Sequence, residues 1–159
     1  FAAHGGLVWG ICNGFQVLCE TGLLPGALIR NDVCEFRCVW THLVVEKDDT
    51  LFTSGLERRE VIRVPISHGE GNYFADPATL SRLEQNGQVV FRYSQPDGLV
   101  VPDANPNGSV HNIAGIVNRA GNVLGMMPHP ERCAEPDLGG TDRLRLFKSV
   151  MHSFPGVPA

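Results

Sequence analysis

Apolar residues along this chain fall into short runs separated by turns that contain glycine or proline. The run at residues 7–9 predicts a buried strand, and Phe15, Val17 and Leu18 predict a helix that ends near Glu20. Such an alternation of elements is typical of a layered α/β domain. The same criteria predict strands at 36–45, 61–66, 88–93, 113–117 and 123–127, and helices at 77–86 and 141–154.

Several of the predicted strands follow one another without a helix between them. The clearest case is a predicted hairpin formed by 113–117 and 123–127. Strands joined by a short turn are antiparallel, whereas parallel strands need a long crossover connection. The pattern therefore predicts a mixed sheet in which antiparallel strands are added to a parallel centre.

A cysteine stands at the turn between the first predicted strand and the first predicted helix. Gly10 and Gly14 flank Cys12 at two residues on either side, and small neighbours suit a strained turn of this kind. The arrangement is a nucleophile elbow with cysteine in place of serine. Because a helix N-terminus favours the thiolate, the elbow is expected both to expose and to activate the thiol. The alternative is a buried, inert cysteine beside a glycine-rich turn.

A candidate base lies near the other end of the chain, where His129 and Glu131 alternate with Pro128 and Pro130. Proline disfavours helix in the residue before it, so this stretch is predicted to be extended. Residues i and i+2 of an extended chain point the same way, which allows the carboxylate to orient the imidazole. With Cys12 they match a triad of thiol, base and base-holding group. A hydrogen-bonded structural histidine is the alternative for His129.

These two motifs, G-I-C-N-G-F-Q at 10–16 and M-M-P-H-P-E-R at 126–132, resemble those of the class I, triad-type glutamine amidotransferases. Within that class, S-H-G-E-G-N-Y at 67–73 and N-P-N-G-S at 105–109 resemble the glutaminase subunits of phosphoribosylformylglycinamidine synthase. The resemblance covers nearly the whole chain, so 1–159 is expected to be one amidotransferase domain. It implies a flavodoxin-like α/β fold with a mixed, mostly parallel sheet and helices on both faces.

The resemblance implies catalytic roles for four residues of this sequence. Cys12 attacks the side-chain amide of glutamine, and a glutamyl thioester forms as ammonia leaves. His129 carries protons, and Glu131 holds His129. The backbone N–H of Asn13 donates a hydrogen bond to the oxyanion.

Substrate-binding positions also follow from the resemblance. Gln16 lies four residues after Cys12, on the same face of the helix as the elbow, and is implied to contact glutamine. The backbone around Gly69 and Glu70 is implied to bind the α-amino and α-carboxylate groups. For the side chains of His68 and Glu70, a role in shaping the loop is an equal alternative.

The implied function is to supply ammonia to an ATP-dependent synthetase. That synthetase converts formylglycinamide ribonucleotide to formylglycinamidine ribonucleotide in purine biosynthesis. The implied partners are the synthetase subunit and a small accessory subunit. ATP and Mg are implied for the synthetase, and no cofactor or metal is expected in this chain. The loop at 105–109 is the candidate for docking a partner, with an ordinary surface loop as the alternative.

The sequence departs from the family before the elbow. In the family, several βα units precede the elbow, and a glycine-rich loop among them supplies a second oxyanion donor. This sequence begins at Phe1, in a segment read as a helix end capped by Gly5 and Gly6. We therefore expect an N-terminally truncated domain, weakly active or inactive alone, since one lost oxyanion donor costs about 10²–10³ in rate.

Composition excludes some classes of partner. The net charge of −4 over 159 residues provides no electrostatic footprint for nucleic acid. No apolar run approaches the length of a membrane span. Five cysteines at irregular spacing do not suit a secreted disulfide framework, so a cytoplasmic location is expected.

Three residues at a spacing of four, Cys34, Cys38 and His42, raise the alternative of a zinc site. The apolar, strand-like context favours ordinary core thiols instead. Two other functions stay open beside the glutaminase: a different elbow-cysteine amidotransferase or hydrolase, and a non-catalytic fragment that binds a partner.

Overall fold

The computed structural model describes residues 1–134 and 144–153. These residues form eight strands and three α-helices. The strands are β1 (Val8–Ile11), β2 (Ala27–Ile29), β3 (Arg37–Val45), β4 (Val61–His68), β5 (Asn72–Phe74), β6 (Val89–Ser94), β7 (Ile113–Val117) and β8 (Val123–Met126). The helices are α1 (Asn13–Glu20), α2 (Pro77–Gln85) and α3 (Leu144–His152).

Six strands form one sheet in the order β1-β8-β7-β6-β3-β4. The sheet is mixed, as predicted: β1 pairs in parallel with β8, and the other four pairings are antiparallel. The expectation of a mostly parallel sheet is therefore wrong for the described residues. The reason is connectivity, because β3–β4 and β7–β8 are consecutive strands with no α-helix between them, and a parallel pair needs such a crossover.

Helices cover both faces of this sheet, as expected. Strand β8 shows how, because Val123 belongs to the apolar cluster beneath α1 and α2, and Leu124 belongs to the cluster beneath α3. Successive residues of a strand point to opposite faces, so one strand contributes to both cores. On the α3 face, Trp9 packs against Phe147 with ring centroids 5.0 Å apart.

Most elements predicted from local patterns are present. Asp76 accepts hydrogen bonds from the backbone N–H groups of Ala78 and Thr79, both at 3.0 Å, and caps α2 as expected. The predicted hairpin is formed by β7 and β8. Near the start of the chain, a 3-10 turn ends at Gly5 with a left-handed φ of 82°. The predicted helix at 141–154 is observed as α3, and positions 141–143 and 154 lie outside the described residues.

A second sheet was not predicted. It consists of β2 and β5, which pair antiparallel over three residues each. Its central residue Tyr73 is fully buried, stacks on Phe15 of α1 with ring centroids 5.6 Å apart, and donates to the Pro25 carbonyl at 2.8 Å. The small sheet therefore fixes the chain just after residues 68–71 against the elbow helix.

Candidate active site

Cys12 occupies a strained backbone position at the tip of the strand-to-helix turn. Its φ is 52° and its ψ is −111°, a combination that costs energy for a residue other than glycine. The backbone N–H of Cys12 donates to the Met126 carbonyl at 2.8 Å, which ties the turn to β8. The elbow predicted from the sequence is therefore formed.

The two glycines that flank the elbow are under different constraints. A Cβ on Gly10 would lie 2.5 Å from a methyl carbon of Leu18 and 2.7 Å from the backbone of Gly14, so only glycine lets α1 approach β1 this closely. A Cβ on Gly14 would meet nothing within 4 Å in the described residues. The requirement for a small residue thus applies to Gly10 and not to Gly14.

The Cys12 thiol is half-buried in the resting site. Burial raises the pKa of Cys12 above its ordinary value, although the backbone N–H of Asn13 and the positive charge of Arg132 oppose that shift. The Sγ atom donates to the Ser67 carbonyl at 3.8 Å. Desolvation therefore outweighs the contribution of the N–H group at the helix N-terminus in the resting site.

His129 and Glu131 form a close pair. The Nδ1 atom of His129 lies 2.5 Å from Oε1 of Glu131. His129 is 6% exposed, and its Nε2 is buried with no hydrogen-bond partner among residues 1–134 and 144–153. Because the carboxylate accepts from Nδ1–H, Nε2 carries the lone pair and is able to accept a proton.

The fold brings the thiol and the imidazole to the same region. Ile11 pairs with Met126 at the carboxyl ends of β1 and β8; Cys12 directly follows β1, and His129 lies three residues after the end of β8. Both also contact β4: the Cys12 thiol bonds to the carbonyl of Ser67, and the His129 N–H bonds to that of Pro65 at 2.9 Å. Ser67 and Pro65 are two residues apart on one strand, which separates them by about 7 Å.

A cavity of about 410 Å³ opens beside the thiol. Its walls include every predicted substrate-binding position, namely Gln16, Gly69 and Glu70. The side-chain amide of Gln16 donates to Glu20 at 3.1 Å, so it is held on the helix surface beside the cavity. The cavity is lined by Cys12, Asn13, Gln16, Phe36, Ser67, His68, Gly69, Glu70 and Met127.

The side chain of His68 lines the cavity and is bonded to two asparagines of the neighbouring loops. It is 4% exposed, with Nδ1 3.2 Å from Oδ1 of Asn31 and Nε2 3.4 Å from Nδ2 of Asn107. Burial, aided by the nearby His129, lowers the pKa of His68 to about 4. His68 is therefore neutral at physiological pH and stays bound to both asparagines.

The loop at 105–109 is not the exposed docking loop that the sequence suggested. Asn107 is 0% exposed and Ser109 is 2% exposed, and both donate to the Gly71 carbonyl, at 2.8 and 3.2 Å. The centre of this loop packs beneath the turn at 68–71, so it supports the cavity wall. The two asparagines and the glycine of this loop fit a buried turn, so they do not indicate that the loop is exposed.

One residue at the site escaped the sequence reasoning. Asn31 is 1% exposed and hydrogen-bonds His68 and Gly71. Its partners lie 37 and 40 residues further along the chain, so no local spacing identifies it. The only signal in the sequence is that Asn31 comes directly before the turn at Asp32, and asparagine is common in turns.

The alternative zinc site is not formed by the described residues. No group of three or more histidine, cysteine or acidic side chains in 1–134 and 144–153 is arranged to hold a metal ion. Cys34 and Cys38 are exposed, so the expectation that they are core thiols is also wrong. Cys34 lies in a turn with a φ of 55°, outside strand β3.

Comparison with known proteins gives consistent matches. Residues 1–138 match the CobB/CobQ-like glutamine amidotransferase domain. The phosphoribosylformylglycinamidine synthase subunit PurQ of Moorella thermoacetica is 63% identical over 151 residues, which are 95% of this chain and 64% of that subunit. PurQ of Salinibacter ruber is 59% identical over 159 residues, covering 100% of this chain and 68% of that subunit.

A solved structure matches as well. A chain in the structure of PurLQS from Thermotoga maritima superposes with a TM-score of 0.81 at 43% identity, over 95% of this chain and 63% of that chain. This chain therefore spans about two thirds of the length of the proteins that it matches.

Proposed function

This chain belongs to the CobB/CobQ-like glutamine amidotransferase family and is similar to the PurQ subunits, and we propose that it hydrolyses the side-chain amide of glutamine to supply ammonia within phosphoribosylformylglycinamidine synthase. The observation that carries the proposal is the elbow thiol of Cys12 beside a substrate-sized cavity, with the His129–Glu131 pair at the end of the adjacent strand. We take residues 1–159 as part of one such domain.

The proposed reaction begins with proton transfer from the Cys12 thiol to Nε2 of His129. The sulfur then attacks the amide carbon of glutamine, and the carbonyl oxygen becomes an oxyanion that accepts from the backbone N–H of Asn13. His129 returns the proton to the nitrogen, the C–N bond breaks, and ammonia leaves. Water, deprotonated by His129, hydrolyses the γ-glutamyl thioester to glutamate and restores the thiol.

Glu131 is the positioning group in this mechanism. It fixes the Nδ1–H tautomer of His129 through the 2.5 Å contact and stabilises the imidazolium that forms during proton transfer. Because burial raises the pKa of Cys12 in the resting site, the thiolate forms with the substrate in place rather than before it.

Substrate binding is assigned to the residues that line the cavity beside Cys12. Gln16, Gly69 and Glu70 are among them. The backbone around Gly69 and Glu70 is proposed to bind the α-amino and α-carboxylate groups of glutamine, and Gln16 to contact the substrate from α1. The amide end of glutamine then points toward Cys12.

The proposed partners are the synthetase subunit and the small accessory subunit of the same complex, with ATP and Mg bound by the synthetase. The name PurLQS of the matching structure supports such an assembly. We propose a cytoplasmic location on the basis of five free cysteines, one of them the nucleophile. The structure describes no helix long and apolar enough to cross a bilayer.

The experiment measures glutamate and ammonia formed from glutamine by the full protein that contains this chain, with and without the synthetase and accessory subunits. Because free ammonia is protonated and lost in water, hydrolysis is expected to depend on docking, with a rate increase of about 5- to 150-fold. Equal rates with and without the subunits would indicate an independent hydrolase. Complex formation without any hydrolysis of glutamine would indicate a binding module.

A further inference from the structure

One asparagine side chain spans the turn that forms a wall of the candidate active site. The Nδ2 group of Asn31 donates to two backbone carbonyls, those of His68 at 3.0 Å and Glu35 at 2.8 Å, and its Oδ1 accepts from the N–H of Gly71 at 2.9 Å. The backbone N–H of Asn31 donates to the carbonyl of Gly69 at 2.9 Å. Asn31 therefore binds the turn before and after Gly69 and Glu70, the two residues that face the cavity.

A second buried asparagine holds the same turn from below. Asn107 donates from Nδ2 to the carbonyl of Gly71 at 2.8 Å. The same nitrogen lies 3.2 Å from the hydroxyl oxygen of Tyr93 and 3.4 Å from Nε2 of His68, so these two acceptors share its second hydrogen. Oδ1 of Asn107 accepts from the N–H and the hydroxyl of Ser109, at 3.1 and 2.8 Å. The oxygen and the nitrogen of this amide are each identified by a backbone group, because the N–H of Ser109 can only donate and the carbonyl of Gly71 can only accept.

The imidazole of His68 joins the two asparagines, and the backbone determines its tautomer. Oδ1 of Asn31 is identified as the oxygen because it accepts from the N–H of Gly71, so Nδ1 of His68 must donate to it. Nδ2 of Asn107 is identified as the nitrogen because it donates to the carbonyl of Gly71, so Nε2 of His68 must accept. Neutral His68 with its proton on Nδ1 is the form that satisfies both neighbours.

Close packing leaves this turn little freedom. A Cβ on Gly71 would lie 2.2–2.5 Å from three atoms of the His68 ring, so the ring is seated directly against the backbone. Because the network is buried and fully bonded, breaking one member leaves the other polar groups without partners.

We propose that Asn31 and Asn107, acting through His68, are positioning residues that hold Gly69 and Glu70 in the conformation that binds the α-amino and α-carboxylate groups of glutamine. This inference rests on the proposed function. Neither asparagine lines the cavity, so both act through the turn at 68–71 and not by contact with the substrate.

The test compares Asn31→Asp with Asn122→Asp in the full protein assembled with its synthetase subunits. Asn122 is a matched control because it is also buried, at 5% exposure, and its amide donates to two backbone carbonyls, those of Ala2 and Gly6, both at 2.8 Å. It lies at the opposite end of β8 from the site. In each variant, a carboxylate oxygen replaces the NH2 group that donates to two backbone carbonyls. Similar losses of stability are therefore expected.

Asn31→Asp is expected to raise KM for glutamine by about 10- to 100-fold, the effect of one or two buried hydrogen bonds, with kcat changed by less than about threefold. Asn122→Asp is expected to leave KM unchanged. Alkylation of Cys12 by iodoacetamide is expected to be the same in both variants, since the elbow itself is not altered. If Asn31→Asp fails to fold, Asn31→Ser is the second variant. It places no charge in the buried site and is also expected to raise KM for glutamine.

Hydrogen exchange gives a second measurement that does not need activity. The amides of residues 69–71 are expected to exchange faster in both Asn31 variants than in the wild-type protein, and at the wild-type rate in Asn122→Asp. Wild-type glutaminase activity with an unchanged KM in both Asn31 variants would overturn the inference, as would unchanged exchange at 69–71. Wild-type protein without glutaminase activity would instead overturn the proposed function, and the exchange rates would still decide whether Asn31 holds the turn.

Discussion

Replacing Cys12 by alanine is expected to lower kcat for glutamine hydrolysis by about 10⁴-fold or more, as loss of the nucleophile does in triad enzymes. In this chain Cys12 is the only cysteine that lines the cavity within the described residues. Cys19 is buried on α1, Cys34 and Cys38 are exposed, and the buried Cys133 thiol bonds to the backbone carbonyls of His129 and Pro130. No second thiol is therefore placed to replace it.

The measurement is steady-state glutaminase activity of the assembled protein, with Cys38→Ser as the control. Cys38 lies on β3 and is exposed, so its replacement is expected to change kcat by less than about twofold, as surface substitutions usually do. If Cys12→Ala retained more than a tenth of the wild-type kcat while folding normally, Cys12 would not be the nucleophile.

Replacing His129 by alanine is expected to lower kcat by about 10³–10⁴-fold, because the proposed general base would be lost. Nε2 of His129 is buried and free of hydrogen bonds to the described residues, so it is available for the thiol proton. His68 is not a substitute, since both of its ring nitrogens are engaged by asparagines and its pKa is lowered to about 4.

The kinetics of His129→Ala are compared with those of Glu131→Gln and His111→Asn. Glu131→Gln is expected to keep the ring in place but to weaken control of its tautomer, giving a smaller loss of about 10²-fold or more. His111, an exposed residue that faces Glu84, serves as the control, and asparagine suits its left-handed φ of 51°. Equal activity of His129→Ala and His111→Asn would rule out His129 as the base.

Features that depend on neighbours in the sequence were predictable. Short stretches of sequence were enough to predict strand β1, helix α1, the Asp76 cap and the β7–β8 hairpin. The motifs at 10–16 and 126–132 identified the residues that the fold brings together, and the resemblance predicted the glutamine amidotransferase fold, which superposition with PurLQS confirms. Their catalytic and binding roles remain predictions.

Features that depend on distant contacts were not predictable. The three-residue strands β2 and β5 are too short to show a period, and only their pairing stabilises them. The pairing of β3 with β6 was not predicted, because these two strands are not neighbours in sequence. The partial burial of the Cys12 thiol was not predicted for the same reason, since the strand that its thiol contacts, β4, begins about fifty residues later.

The most direct test of whether Cys12 belongs to a glutamine site is labelling with a diazo-ketone analogue of glutamine, followed by peptide mapping of the full protein. We expect one covalent adduct, on Cys12, which excess glutamine prevents and which His129→Ala slows. A protein whose Cys12 reacts with iodoacetamide but never with the glutamine analogue would contradict this expectation, because the thiol would then be accessible without belonging to a glutamine site.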